Sequence, residues 1–496
     1  MAEIDKNSPM PIYYQLKEMI KEKIETGEYK PGDRLPTELE LCQQYSISRT
    51  PVRQALSELH YQGVLFRKPG LGTFISDFTL PPSRDLMRLK AMVPEERWAI
   101  TLQKAVELWN DRNHDRQVKL NLLLVGHDEF RFKIVSAVAS GNAPDFSLID
   151  SVWMAQFARD HFLLPIDEID PDWVEADYRN DFFPVFVEGS SMNGHLYTIY
   201  TQADMTVLWY RRDWFEAEKI KPPRTWDELA WVAQYFQREE IRKRYALGPH
   251  ALAFPAGLKA GETTTYLLLP FLWSTGADVL REGRVILNSE ATRRAVGFLY
   301  DLVHRYHVAP ADIVGFDWNS APKLFARRQV SMALGGSYES AFIKELAGWS
   351  DEEFHSAVGF VPVPAGVNGQ QSTNAGGMGY AIYRQARLPE LSLEILKIAT
   401  GRGLMKEFCL STDQNPTRMS VYGELNPENT EKDRFLLQTS EMLEQARMRP
   451  VIPEYAMVSQ QLQAMLENAV SSRMSVGEAV KRAAEIIGAI TDLPLA

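Results

Sequence analysis

The sequence predicts a multidomain chain, in which a small N-terminal α+β domain is followed by a much larger α/β domain. Three observations predict it. The chain has 496 residues, too many for one ordinary hydrophobic core. As far as Ile75, apolar stripes of helical period give way to a short pair of strand-like runs. Beyond about Met92, amphipathic helices alternate with short apolar strands, and Pro81-Pro82 marks the break.

Composition narrows the function classes. Hydrophobic residues are 45% and charged residues 24%, the balance of a folded protein. A net charge of -11 excludes a wholly basic nucleic-acid coat. Residues 1–80 hold ten Lys/Arg and eleven Asp/Glu, so any DNA contact there must be a local patch. Cys42 and Cys409 stand far apart, with no zinc or disulfide spacing. The opening Met1-Ala2-Glu3-Ile4-Asp5-Lys6 leads into no apolar signal segment, and no run reaches the ~18–20 apolar residues of a spanning helix. A cytoplasmic protein is expected. There is no G-x-S-x-G, no P-loop, no H-E-x-x-H and no metal spacing among the scattered histidines. The expectation is therefore no enzyme, no cofactor and no metal.

The N-terminal elements follow in order. Ile12, Leu16, Ile20 and Ile24 recur every four residues and predict a helix that Gly27 stops. After the turn at Pro31-Gly32-Asp33, Thr37 and Glu40 form a capping-box pattern for a second helix ending near Tyr45. Ser48 caps a third helix with Pro51 in its first turn. Val52, Leu56 and Leu59 face the core, while Arg49 and Arg53 share the other face with Thr50 and Gln54. Arginines and small polar groups on an N-terminal turn suit a major-groove reader, since arginine can donate two bonds to one guanine edge. Val64 to Lys68 and Thr73 to Ile75 predict a hairpin around Pro69-Gly70-Leu71-Gly72, with Arg67 and Lys68 adding charge. A charged pair four apart is commonly just a solvated face, so the ordered string matters more than any single pair.

That string is Pro31-Gly32-Asp33-Arg34-Leu35-Pro36-Thr37-Glu38, Ser48-Arg49-Thr50-Pro51-Val52-Arg53-Gln54-Ala55-Leu56 and Gly70-Leu71-Gly72-Thr73-Phe74. It resembles the GntR-family winged helix-turn-helix across residues 9–76. The resemblance implies DNA contacts from Ser48, Arg49, Thr50, Arg53 and Gln54, and from a wing carrying Arg67, Lys68, Gly70 and Gly72. It also implies a homodimer on a double-stranded DNA operator. This chain has Leu39 where the family often carries an arginine.

Residues 1–78 are thus read as the DNA-binding domain, 79–92 as a linker and 93–496 as the second domain. Within the last, Val118 to Leu124 and Pro144 to Asp150 read as strands, and Phe130 to Ser140 and Trp153 to His161 as helices. Several segments resemble the sugar-binding solute-binding proteins of ABC importers. They are Ala139-Ser140-Gly141-Asn142-Ala143-Pro144-Asp145, Met192 to Tyr200 running on to Phe215, Pro222 to Leu229, Phe325 to Tyr338, and Val358 to Pro364 with Gly376-Gly377. The resemblance implies a two-lobed α/β periplasmic-binding-protein-like (type 2) clamshell, with chain crossings near 200–207 and 358–364.

A sugar cleft needs aromatic rings for stacking and polar groups for hydroxyls. Family position implies ligand contact for Trp153, Tyr200, Asp204, Trp273, Ser337, Tyr338, Gly376 and Gly377, with Trp318 and Trp349 behind them. Trp109, Trp226 and Trp231 lie on amphipathic helices and are expected to pack. The reading is a transcription regulator controlled by a small ligand, a sugar or oligosaccharide. The alternatives are a ligand-free clamshell serving as dimerisation scaffold, and a pyridoxal-phosphate aminotransferase-like domain, for which no lysine and acid pair can be placed.

Overall fold

The computed structural model describes residues 4, 12–61, 64–68, 72–76 and 86–496, and the chain divides into two compact units. Among the described residues, no helix is long and apolar enough to cross a membrane.

The first unit contains three helices and a hairpin. They are α1 (Ile12–Glu25), α2 (Glu38–Tyr45), α3 (Arg49–Tyr61), β1 (Leu65–Lys68) and β2 (Gly72–Ile75). Thr37 and Glu40 close a capping box on α2, each satisfying a backbone N–H of the other's residue. Leu16 and Ile20 of α1 pack with Val52, Leu56 and Leu59 of α3, all at 2% exposure or less. Burial of each such side chain stabilises by ~1.5–3 kcal/mol. β1 and β2 pair antiparallel, from Leu65 opposite Ile75 to Lys68 opposite Gly72. The hairpin is also stitched to the loop before α2, where Gly32 N–H donates to Ile75 O at 2.9 Å and Leu35 N–H to Thr73 O at 2.8 Å.

The second unit has two five-stranded sheets, one in each of two lobes. Its first strand is β3 (Met87–Val93), followed by α4 (Glu96–Arg112), β4 (Val118–Leu124), α5 (His127–Ala139), β5 (Phe146–Asp150) and α6 (Met154–Arg159). β3 takes up residues 87–92 of the expected linker over 79–92, whose positions 79–85 lie outside the described residues. Leu89, Ala91 and Val93 point inward at 2% exposure or less, and the charges of Arg88 and Lys90 on the other face disguise this alternation. The sheet order is β4, β3, β5, the strand Met378–Ile382 and the strand Ile199–Tyr200. The other sheet orders Leu252–Ala253, Met332–Gly336, Asp204–Arg211 and Val358–Val361, with Ala375–Gly376 also paired to Asp204–Arg211.

The crossings follow from this membership. The chain leaves the first sheet at Tyr200 and enters the second at Asp204. The return lies between Gly376 and Met378, not near 358–364. Val358–Val361 still pairs with Asp204–Arg211, and Ala365 still bonds to Trp226, so both belong to the second lobe. Gly377 makes the turn with φ +149°, and a Cβ there would stand 2.2 Å from Gln202 O. A further strand-like passage places Asn415 against Ala203, with N–H···O bonds of 2.7 and 3.2 Å. The hinge is therefore built of short paired segments, the kind of place that absorbs domain rotation.

Candidate functional site

The cleft site is built from the ends of strands and first turns of helices. Asp150 ends β5 and caps the turn Ser151–Trp153 by accepting from Val152 N–H. Asp204 opens the long strand of the second lobe. Glu262 and Tyr266 are four apart on the helix Glu262–Trp273 and so share a face. Tyr455 and Ser459 do the same on Tyr455–Val470. Arg449 sits on the passage after helix Glu431–Leu443. That passage is pinned beside the hinge, since Ala375 N–H donates to Arg447 O at 2.8 Å.

Arg449 is the centre of the cluster. It donates to Ser151 Oγ at 2.6 Å and to Glu262 Oε1 at 3.1 Å, and lies 4.0 Å from Asp150. It thereby ties the first lobe to the second. Glu262 also accepts from Tyr455 Oη at 2.6 Å and Ser459 Oγ at 2.5 Å. Asp204 Oδ1 accepts from Tyr266 Oη at 2.8 Å. Burial pushes the Asp204 carboxyl up to about 6, against the pull of the Tyr266 hydrogen bond and Arg449. Gly376 is what lets these groups meet: a Cβ there would stand 2.4 Å from Asp204 Oδ1 and 3.2 Å from Arg449 Nη2. Gly336 similarly leaves room for the Tyr338 ring, which lies 6.3 Å from that of Tyr266. A second bridge between lobes joins Arg159 of α6 to Glu454 at 2.6 Å.

The space beside Arg449 is small. A chamber of about 10 Å³, bounded by Ser151, Tyr200, Arg449 and Tyr455 among others, has room for one water. A neighbouring groove of about 470 Å³ runs between Pro184–Gly189 and Leu443–Val451 and also reaches Arg449. A roomier groove of about 720 Å³, between Tyr210, Phe360, Gln438 and Gln445, carries none of the clustered carboxylates.

The sequence-predicted ligand residues divide. Tyr200, Asp204, Tyr338 and Gly376 come together around this cluster, and Gly377 shapes the crossing beside it. Trp153 rests against Phe130 and Phe157 on its own lobe, with centroids 6.2 and 6.3 Å away. Trp273 is 7% exposed, gives its indole N–H to Asp278 at 3.1 Å and has the Arg447 guanidinium 4.5 Å over its ring. Ser337 is buried and accepts from Met205 N–H, bracing the hinge strand. Trp318 is exposed beside Phe342, and Trp349 packs near Arg211. Trp226 packs as expected, stacked 4.6 Å from Phe298, but Trp231 does not: it is 52% exposed. Sequence reasoning missed Ser151, Glu262, Tyr266, Arg449, Tyr455 and Ser459. The i, i+4 polar pairs at the starts of two apolar helices were the available signal.

In the first unit, Ser48, Arg49, Thr50, Arg53 and Gln54 are all exposed on or just before the first turns of α3. Arg53 Nε is 2.7 Å from Glu38 Oε2, so α2 orients it. Gly72, at φ +125°, lets the Arg34 side chain lie across the hairpin, where a Cβ would meet Arg34 Nε at 2.9 Å. Gly70 and the side chains of Arg67 and Lys68 lie outside the described residues.

A two-lobed α/β clamshell with charged and aromatic groups gathered at its hinge, carried on a chain with a three-helix and hairpin unit, defines a solute-binding protein joined to a DNA reader. Residues 96–403 match the bacterial extracellular solute-binding proteins and residues 12–75 the bacterial regulatory proteins of the gntR family. The chain belongs to the solute-binding family and carries a GntR-family N-terminal region. Neither is a family of catalysts. A protein of Brucella abortus (strain 2308) named as a binding protein is 23% identical over 398 residues, 78% of this chain and 89% of that one. The HTH-type transcriptional repressor NagR of Bacillus subtilis (strain 168) is 52% identical over 73 residues, 15% of this chain and 30% of that one. Among solved structures, the maltose-bound MalE3 of T. maritima superposes with a TM-score of 0.68 at 24% identity, covering 82% of this chain and 100% of that chain. The acarbose-binding GacH receptor of Streptomyces glaucescens gives 0.69 at 21% identity, covering 82% and 99%.

Proposed function

We propose that the protein is a cytoplasmic transcription regulator whose operator affinity is controlled by a carbohydrate held between the two lobes. The observation that carries this is the Arg449 cluster. Glu262, Ser151 and Asp204 at Arg449, with the rings of Tyr266 and Tyr338 alongside, supply the acceptors, donors and stacking faces that sugar hydroxyls and C–H faces require. Arg49, Thr50 and Arg53 at the start of α3 supply the reader. A homodimer on two half-sites suits a winged helix of this size. The resemblance to a chain named as a repressor supports regulation as the output.

The chamber beside Arg449 holds about 10 Å³, so a sugar seated there requires the lobes to part. A sugar that prefers one lobe arrangement shifts the population by no more than that preference. The same small chamber favours a second reading, in which the clamshell holds no ligand and is a dimerisation scaffold. Thermal unfolding against a panel of mono- and oligosaccharides decides between them. A sugar at a hundredfold excess over its Kd stabilises the folded protein by ~2.7 kcal/mol, and that sugar should then change operator affinity. No shift with any sugar selects the scaffold.

A further inference from the structure

We propose that the cleft prefers an amine-bearing sugar, one with a free ammonium group, over its neutral counterparts. This rests on the carbohydrate reading above and names the ligand class. The cluster holds three carboxylates, Asp150, Asp204 and Glu262, around one guanidinium. Glu262 and Arg449 neutralise each other at 3.1 Å. Asp150 and Asp204 remain, and both lie close to Arg449. Each spends a single oxygen on the protein. Asp150 Oδ1 accepts from Val152 N–H and Ser151 Oγ, both at 3.1 Å, and Asp204 Oδ1 from Tyr266 Oη at 2.8 Å. Their Oδ2 atoms have no protein donor among the described residues.

A second observation is independent of the acids. Tyr200 is 1% exposed, lines the chamber with Ser151 and Arg449, and its hydroxyl has no hydrogen-bond partner. A buried hydroxyl of this kind calls for a partner, which a water in the chamber or a ligand group that displaces it would supply. Asp150 and Asp204 are part-buried, so a neutral sugar that covers them takes two carboxylates out of water without adding a compensating charge, which is costly. An ammonium supplies that charge with three donors; the Tyr266 ring already lies under the Arg449 guanidinium at 5.3 Å, and the Tyr338 ring stands 6.3 Å from it. Asp204 faces Tyr266, Arg449 and Asp150, and its titration near 6 sets a pH window: protonation below that point removes one of the two charges an ammonium would meet.

The test is calorimetric titration and thermal shift on the full-length protein. The probes are glucosamine, galactosamine and the glucosamine disaccharide, each beside its N-acetyl and hydroxyl counterpart. At pH 7.5 the amine is expected to bind at least tenfold tighter than either counterpart, and to lose most of that margin by pH 5. Asp204→Asn should erase the preference, while Asp150→Asn should reduce it. Unchanged circular dichroism and melting of the unliganded variants would show that they fold. An amine that binds no better than its neutral counterpart overturns the inference and leaves the carbohydrate reading standing. No binding by any member of the panel overturns both.

Discussion

Glu339 is placed where a single titration can be read in the stability of the fold. Its side chain is 1% exposed, accepts the Trp209 indole N–H at 3.1 Å, and keeps its other oxygen without a partner. Burial pushes its pKa from 4.5 up to about 8, against the opposing bonds from Trp209 and the Gly336 backbone. The folded protein therefore holds a proton that the unfolded chain releases earlier. The stabilisation is complete below pH 4.5 and drains as pH rises through 8. At ~1.4 kcal/mol per pH unit, the loss across that interval is ~5 kcal/mol. Glu339→Gln keeps the shape and the acceptor for Trp209 but cannot titrate. Urea unfolding followed by tryptophan fluorescence is the assay, because all 11 tryptophans lie from Trp98 onward and report the second unit alone. The wild type is expected to lose stability more steeply than the variant between pH 5 and 8.5. The two curves should cross, with the variant more stable at the alkaline end. Every other titrating group is common to both proteins and cancels in the difference. Parallel pH profiles would refute the buried, protonated carboxyl.

Four further outcomes are expected. Gly376→Ala puts a methyl 2.4 Å from Asp204 Oδ1, so sugar affinity should fall at least tenfold while unliganded operator affinity stays the same. Arg449→Met leaves Glu262 without its cation. Breaking a buried pair costs ~3–5 kcal/mol, and the low end applies because the Glu262 side chain keeps 31% exposure, a loss that urea unfolding would read. Tyr338→Ala should weaken sugar binding in calorimetry without moving the melting temperature by more than a few degrees, since its ring is only part-buried. Arg53→Ala should lower operator affinity by about 1–3 kcal/mol if the side chain reads a base edge, and fluorescence anisotropy on operator DNA at fixed salt would show it.

Much of the first unit was legible because its signals are local. The Thr37 and Glu40 capping box, the stripe through Leu16 and Ile20, and the exposed Arg49 and Arg53 all lie within one or two helical turns. The cleft was half legible. Asp204, Tyr338 and Gly376 could be placed by their resemblance to a family. Arg449 could not, because it lies on an irregular passage and its partners Ser151 and Glu262 are 298 and 187 residues away. The tryptophans show the same limit in reverse. Trp153 and Trp273 stand near loops in sequence, yet their rings are turned toward Phe130 and Arg447 by packing that no local pattern encodes. β3 was hidden by two charges on the outer face of an otherwise buried strand.

The interlobe contacts explain why a switch could be built on this hinge rather than on either lobe. Arg449 to Ser151 and Arg159 to Glu454 join the lobes, and Gly377 and the Ala203–Asn415 pair lie at the crossings between them. The Arg159 and Glu454 pair is partly exposed and so contributes little, a median of ~0–1 kcal/mol. The bond from Arg449 is the more consequential because its partners lie where the sugar would sit. A ligand that takes over the Ser151 or Asp150 contact replaces an interlobe bond with one of its own. The free energy it can deliver to the DNA-reading unit is then the difference between those two sets of bonds, not the whole of its binding energy. On the proposed reading, tight binding and strong regulation would therefore be separate properties of this site, and Arg449 is where they would meet.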